Sequence, residues 1–172
     1  MNTARKASLD EIGVVALGSN QPGEFDSSRD LLDAAVAALP GAGFNVVRTS
    51  RWWRSRAWPE PTHPDYLNGV VLVETGLDPR TSMEALKSLE ARFGRVRSLP
   101  NAPRTLDLDL IALGRTVMDR QDLVLPHPRA HLRRFVMAPL AEIAPEWRHP
   151  VLGSSARELA RDAQIGADVA PE

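Results

Sequence analysis

The segment Arg104-Thr105-Leu106-Asp107-Leu108-Asp109-Leu110 alternates acidic and apolar residues through its second half. In an extended strand, Asp107 and Asp109 share one face, about 7 Å apart, and Leu106, Leu108 and Leu110 face the other way, into a core. Two carboxylates so placed repel unless a cation sits between them. Hard oxygen donors without histidine or cysteine suit magnesium, which keeps waters and takes phosphate oxygens as its other ligands. Two such ions polarise a phosphorus centre and clamp its oxygens. A solvated polar face on an edge strand is the alternative for a D-x-D pair. The flanking Arg104 fits a polyphosphate beside an acidic metal site.

Other residues extend that chemistry. Arg92, Arg95, Arg97 and Arg104 occur with no acid between them, and His127, Arg129, His131, Arg133 and Arg134 form a second acid-free cluster. Arginine at such spacing holds phosphate oxygens and neutralises charge that develops in transfer; a solvated surface is the plainer reading, and Arg129 and Arg134 fit it best. No histidine pair has the partner set of a zinc site, so His127 is read as a phosphate donor and His63, His131 and His149 as ordinary polar residues. Glu90 falls on the helix side of Met83, Leu86 and Phe93, where an apolar residue is expected; its carboxylate must reach solvent or a partner. Tyr66 and Asn68 share a strand face, and a ring plus an amide can hold a flat heterocycle. Gly18-Ser19-Asn20 follows a strand but lacks the GxxxxGK[ST] pattern of a phosphate loop, and Ser19 has no adjacent base to make it a nucleophile.

The elements that must position these groups follow from pattern. Ile12–Leu17 is an apolar, β-branched run and reads as a buried strand. Ser27 or Ser28 caps a helix carrying Leu32, Ala35, Val36 and Leu39 on one face, stopped by Pro40-Gly41. A second strand spans Phe44–Trp53, and Arg54–Asp65, with three prolines, reads as a loop. Tyr66–Thr75 is a third strand. Asp78-Pro79 opens a helix that ends at Gly94. Thr105–Leu113 is a fourth strand. The order β-α-β-β-α-β is the α+β, ferredoxin-like arrangement, an antiparallel sheet with both helices on one face. Short pieces follow Gly114, and Ser155 with Glu158 has capping-box spacing for a last helix. One domain is expected over 12–163, with loosely ordered ends at 1–11 and 164–172.

Composition narrows the classes. The 172 residues include no cysteine, which excludes disulfides, thiolate metal sites and a cysteine nucleophile. The net charge of −1 argues against a broadly basic nucleic-acid binder. Neutrality hides two unlike regions: Ala91–Ala141 carries nine Arg and four Asp, a net of +5, which leaves −6 for the remainder. No apolar run approaches the ~20 residues of a membrane helix, and Met1–Asp10 lacks the apolar stretch of a signal peptide, so a soluble cytoplasmic protein is expected.

Taken together, Val15-Ala16-Leu17-Gly18-Ser19-Asn20, Pro64-Asp65-Tyr66-Leu67-Asn68, Gly94-Arg95-Val96-Arg97, Pro103-Arg104-Thr105-Leu106-Asp107-Leu108-Asp109, Leu125-Pro126-His127-Pro128-Arg129 and the stretch Phe135 to Pro145 resemble the 6-hydroxymethyl-7,8-dihydropterin pyrophosphokinase family of folate biosynthesis. They run in family order from about Val14 to Trp147. The resemblance implies a ferredoxin-like fold and transfer of the β,γ-pyrophosphoryl unit of ATP to the pterin hydroxymethyl group, with release of AMP. It implies that Asp107 and Asp109 bind two magnesium ions, and that Arg95 and Arg104 join them in catalysis. It places Lys87, Glu90, Arg95, Arg97, Arg104, His127 and Arg133 on the ATP side. It places Tyr66 and Phe135 around the pterin, Asn68 at its edge, and Ser55 and Trp58 nearby. The implied partners are small-molecule substrates alone, with no nucleic acid or membrane and a monomeric enzyme. The chain departs from many relatives before the P-R-T element, where it has no Trp-Gly and carries Ala102 in place of the glycine. Two other classes share the fold: a ligand- or RNA-binding regulatory module and another two-metal nucleotidyl transferase. RNA-binding versions display aromatics across the sheet, whereas this sheet offers paired carboxylates.

Overall fold

In the computed structural model, residues 8–57, 59–96 and 104–172 are described. The main sheet is antiparallel. It contains β1 (Gly13–Ser19), β2 (Asn45–Thr49), β3 (Trp53–Ser55), β4 (Tyr66–Glu74), β5 (Asp107–Leu113) and the short β8 (Ala170–Pro171). Its order is β5-β1-β4-β3-β8, and β2 also pairs with β4. Two helices, α1 (Ser28–Ala38) and α2 (Pro79–Arg92), alternate with the first five strands. That is the expected ferredoxin-like order. A hairpin of β6 (Met118–Arg120) and β7 (Leu123–Leu125) follows, then α3 (Arg134–Ile143) and α4 (Ala156–Asp162).

The helix starts have local causes. The Ser27 side chain accepts from the Asp30 N–H. Asp78 accepts from the Thr81 N–H with Pro79 in the first turn. Ser155 and Glu158 close a reciprocal capping box. Each satisfies donors that a helix leaves unpaired at its start.

Strand alternation divides the core in two. Val15, Leu17, Leu108 and Leu110 join Leu31, Leu32, Leu86 and Leu89 beneath α1 and α2. Val14, Ala16, Val70, Leu72 and Ile111 face the other way and pack against Val136, Met137, Leu140 and Trp147. The pieces after Gly114 are therefore a second helical layer, which covers part of the opposite sheet face.

Three expectations change. The single strand over Phe44–Trp53 is two, because Trp52 folds over Gly69 toward the α1 layer: a Cβ on Gly69 would lie 2.4 Å from its ring. The Trp52 indole N–H donates to Asp33 at 2.8 Å. Arg54 and Ser55, expected in a loop, pair with β4. The segment 164–172, expected to be loose, bridges Arg133 at Ile165 and adds β8 to the sheet edge.

Candidate active site

The second helical layer stops short of one end of the sheet. There the face that carries Val14, Val70 and Ile111 continues as Gly18, Asn68, Asp109 and Asp107. Gly18 pairs with both Asp107 and Asn68, which sets these residues side by side across three strands. With no side chain, Gly18 leaves open floor between the carboxylate and the amide. The result is a cleft of about 660 Å³.

One wall is ionic. Arg95 donates to Glu90 and to Asp107, the latter at 2.7 Å, and Arg104 reaches the other Asp107 oxygen at 3.1 Å. Glu90 is buried, at 4% exposure, and also accepts the Leu108 N–H at 2.8 Å. The acid that broke the apolar helix pattern thus ties α2 to β5 and aims Arg95 at the acidic pair. Among the described residues, no ion pair reaches Asp109. Burial, with the adjacent charge of Asp107, pushes its carboxyl up to about 7. Asp107 and Asp109 are half-buried, so the reading as a solvated polar face does not hold.

His127 is fixed by its backbone N–H, which donates to the Ile111 carbonyl at 2.8 Å. Its Nδ1 accepts from the Arg129 N–H at 3.1 Å, so a ring proton belongs on Nε2. Burial and the cation of Arg133 hold its pKa down to about 4. It is therefore a neutral donor at pH 7.

The opposite wall is aromatic and amide-lined. Tyr66, Phe135, Ser55 and Asn68 all line the cleft. Asn68 donates through Nδ2 to the Ser55 hydroxyl at 2.9 Å, which leaves its carbonyl oxygen on the cleft side of Gly18, 3.7 Å from where a Cβ would stand. The Arg133 guanidinium lies 5.8 Å from the Phe135 ring centroid. Burial raises the Tyr66 hydroxyl pKa, against the lowering effect of Arg104.

The cleft gathers Ser55, Tyr66, Asn68, Arg104, Asp107, Asp109, Arg133 and Phe135 from among the expected residues. Arg95 and Glu90 reach it through Asp107 and β5. Lys87, exposed on α2, does not line it, and neither does His127. Arg97 and Trp58 lie outside the described residues. Arg129, expected on open surface, lines the cleft although it is exposed.

Asn20 was missed. It is 3% exposed and links three segments. Its Oδ1 accepts the Arg104 N–H at 2.9 Å, and its Nδ2 donates to the Pro64 carbonyl at 3.1 Å. Its own N–H donates to the Arg104 carbonyl at 3.2 Å. The Gly-Ser-Asn turn thus positions Arg104 and the approach to Tyr66. Ser19 donates to the Gln21 carbonyl, a structural use that fits its lack of a base.

Fold and cleft define an α+β transferase-type site: an acidic pair among arginines, opposed by an aromatic and amide pocket. Residues 14–145 match the model of the 7,8-dihydro-6-hydroxymethylpterin-pyrophosphokinase family. A 2-amino-4-hydroxy-6-hydroxymethyldihydropteridine pyrophosphokinase of Synechocystis is 43% identical over 147 residues, 85% of this chain and 73% of that protein. The Pseudomonas aeruginosa enzyme of the same name is 38% identical over 136 residues, 79% of this chain and 82% of its own. A crystal structure of an HPPK-DHPS in complex with substrates superposes with a TM-score of 0.68 over 87% of this chain at 13% identity. The chain spans 43% of that longer protein, and the likeness concerns the fold. The chain belongs to the 7,8-dihydro-6-hydroxymethylpterin pyrophosphokinase family. It is a pyrophosphokinase of folate biosynthesis.

Proposed function

We propose that this cleft holds ATP and 6-hydroxymethyl-7,8-dihydropterin together and transfers the β,γ-pyrophosphoryl unit of ATP to the pterin. The observation that carries this reading is the meeting of two unlike walls in one cleft: Asp107, Asp109 and Arg104 on one side, Tyr66, Asn68 and Phe135 on the other.

The donor set fits magnesium. Asp107 and Asp109 offer oxygen ligands on one face, and burial, then the charge of Asp107, raises the Asp109 carboxyl in spite of Arg133 and Arg95. Among the described residues no three acidic, histidine or cysteine side chains are placed so that they could hold a metal ion by themselves. Magnesium tolerates that, because water and phosphate oxygens complete its shell. Asp107 and Asp109 would hold two such ions, which when bound supply charge neutralisation at the phosphates and acidify a nearby hydroxyl.

The chain's own groups do the rest. Arg95, Arg104 and Arg133 take phosphate oxygens and offset the charge that builds on them. Neutral His127 donates through Nε2. Tyr66 and Phe135 flank the pterin ring, with Asn68 and Ser55 at its polar edge. This fixes the hydroxymethyl oxygen in line with the β-phosphorus. That oxygen bonds to the β-phosphorus, the bond from the β-phosphorus to the α,β-bridging oxygen breaks, AMP leaves, and the hydroxyl proton passes to solvent. The domain, expected over 12–163, takes in the tail as well and acts as one catalytic unit, monomeric and cytoplasmic, on small molecules alone. No helix among the described residues is long and apolar enough to cross a membrane.

Product analysis with the pterin, ATP and magnesium tests this reading. AMP and a pyrophosphorylated pterin in equal amounts are expected. ADP as the product indicates single phosphoryl transfer, and tight binding without turnover indicates a binding module; either overturns it.

A further inference from the structure

The family match ends at residue 145, yet the cleft does not. Ile165, Gly166 and Asp168 line it. We infer that this segment is a positioning element of the pterin pocket, which fixes the Phe135 ring and the wall at Ser55–Ala57. The inference rests on the pterin reading above.

Three anchors carry the segment across the mouth of the cleft. Ile165 donates to the Leu132 carbonyl at 3.1 Å and accepts the Arg134 N–H at 2.8 Å, on either side of Arg133. Asp168 accepts the Arg56 N–H at 2.7 Å. Ala170 and Pro171 pair with Arg54 and Trp53 at the sheet edge. The segment therefore joins the start of α3 to β3, the two elements that supply Phe135 and Ser55.

Between the first two anchors, Gly166 packs against the edge of the Phe135 ring. Its φ is +71°, and a Cβ there would stand 2.6 Å from Phe135 Cδ1. No side chain fits unless the ring moves, so the glycine backbone sets how far Phe135 projects into the cleft. Phe135 is only half-buried, at the edge of the second core cluster. Asp168 acts on the facing wall. Its carboxylate takes a backbone donor next to Ser55, whose hydroxyl in turn accepts from Asn68. Among the described residues, the segment's hydrogen bonds at Ile165 and Asp168 run to the backbone on either side of Arg133 and to Arg56, and none runs to Asp107, Asp109 or Arg104.

Binding measured separately for the pterin and for a non-hydrolysable ATP analogue with magnesium separates this from a purely structural role. In the full chain, Gly166→Ala is expected to raise the pterin Kd about three- to tenfold, the range of a displaced aromatic contact. Asp168→Ala, which adds no backbone strain, is expected to raise it about two- to fivefold. Nucleotide Kd stays within about twofold in both. Gly166→Ala combined with Phe135→Ala binds pterin no worse than Phe135→Ala alone. Equal loss for both ligands, or unchanged pterin affinity in both single variants, overturns the inference. A wild-type chain that binds no pterin overturns the underlying reading as well, which separates the two failures.

Discussion

Val14, Val70 and Ile111 lie on the same sheet face as Gly18, Asn68 and Asp107, a few residues along the same three strands. At the first end all three side chains are at most 1% exposed beneath α3 and α4. At the other end the same alternation presents a bare backbone, an amide and a carboxylate to a cleft. Regular pairing carries both halves, so the difference lies in the side chains and in where the helical layer stops. One half buys stability by burial, and the other keeps charged and polar groups in a place that costs stability.

Substitutions at the two ends should therefore fail in opposite ways. Asp109→Ala is expected to cut turnover by about a thousandfold or more, as the loss of several kcal/mol of charge stabilisation implies. Asp109→Asn should unfold in magnesium-free buffer at pH 8 no earlier than wild type, because burial and Asp107 disfavour the charged form it replaces. Leu140→Ala, in the covered half, should lose about 2–5 kcal/mol of stability while the folded fraction keeps near-normal kcat. Leu140 is fully buried. Steady-state kinetics and urea unfolding on the three variants read both effects. Wild-type rates in Asp109→Ala would remove the metal assignment.

Acid should also act on the halves with opposite sign. Asp109 is raised from 3.8 to about 7. The folded chain then binds more protons than the unfolded one between those values, so this group's contribution to stability declines as pH rises from about 4 to 7. His149, buried near Trp147 in the covered half, behaves the other way. Its Nδ1 accepts the N–H groups of Val151 and Leu152 at 3.2 and 3.1 Å. Burial and then His131 lower its pKa from 6.5 to about 4. Its contribution is present above pH 6.5 and lost as pH falls through 4. In magnesium-free unfolding between pH 4 and 7, His149→Gln should flatten the acid-side loss. Asp109→Asn should flatten the decline toward neutrality. Identical pH profiles in both variants and wild type would break the contrast.

How much of this could be read from sequence depends on how local its cause is. Asp107 and Asp109 were legible because strand alternation needs only adjacent residues, and Glu90 because it broke a helical stripe. The caps at Ser27, Asp78 and Ser155 span three residues. The helix α3 of the covered half was not legible. Pro139 lies inside α3, where it removes a backbone donor and argues against a helix; burial of Val136, Met137, Leu140 and Ile143 outweighs it. Asn20 escaped notice because Arg104 and Pro64 are 84 and 44 residues away. The 164–172 segment is short and has no helix or strand period, and the sheet edge and the Phe135 ring give it a place.

The smallest expected effect tests the boundary of the cleft itself. Arg129 lines it, as Arg104 does, and composition alone gives no reason to rank them. Their surroundings do. Arg104 is tied to Asp107 and is clamped through its backbone by Asn20. Arg95 is held more tightly still, its side chain 15% exposed between Glu90 and Asp107. Arg129 is exposed, and its own backbone N–H only serves His127. An exposed guanidinium interacts through solvent and is worth about 0.2–1 kcal/mol to a facing charge, a change of at most about fivefold. Arg129→Ala should therefore raise the KM for ATP no more than about fivefold and leave kcat unchanged, with an effect that shrinks as salt is added. Arg95→Ala should lower kcat and remove the cation that faces the buried Glu90 carboxylate. A loss at Arg129 as large as that at Arg95 would move the edge of the catalytic wall outward to the rim.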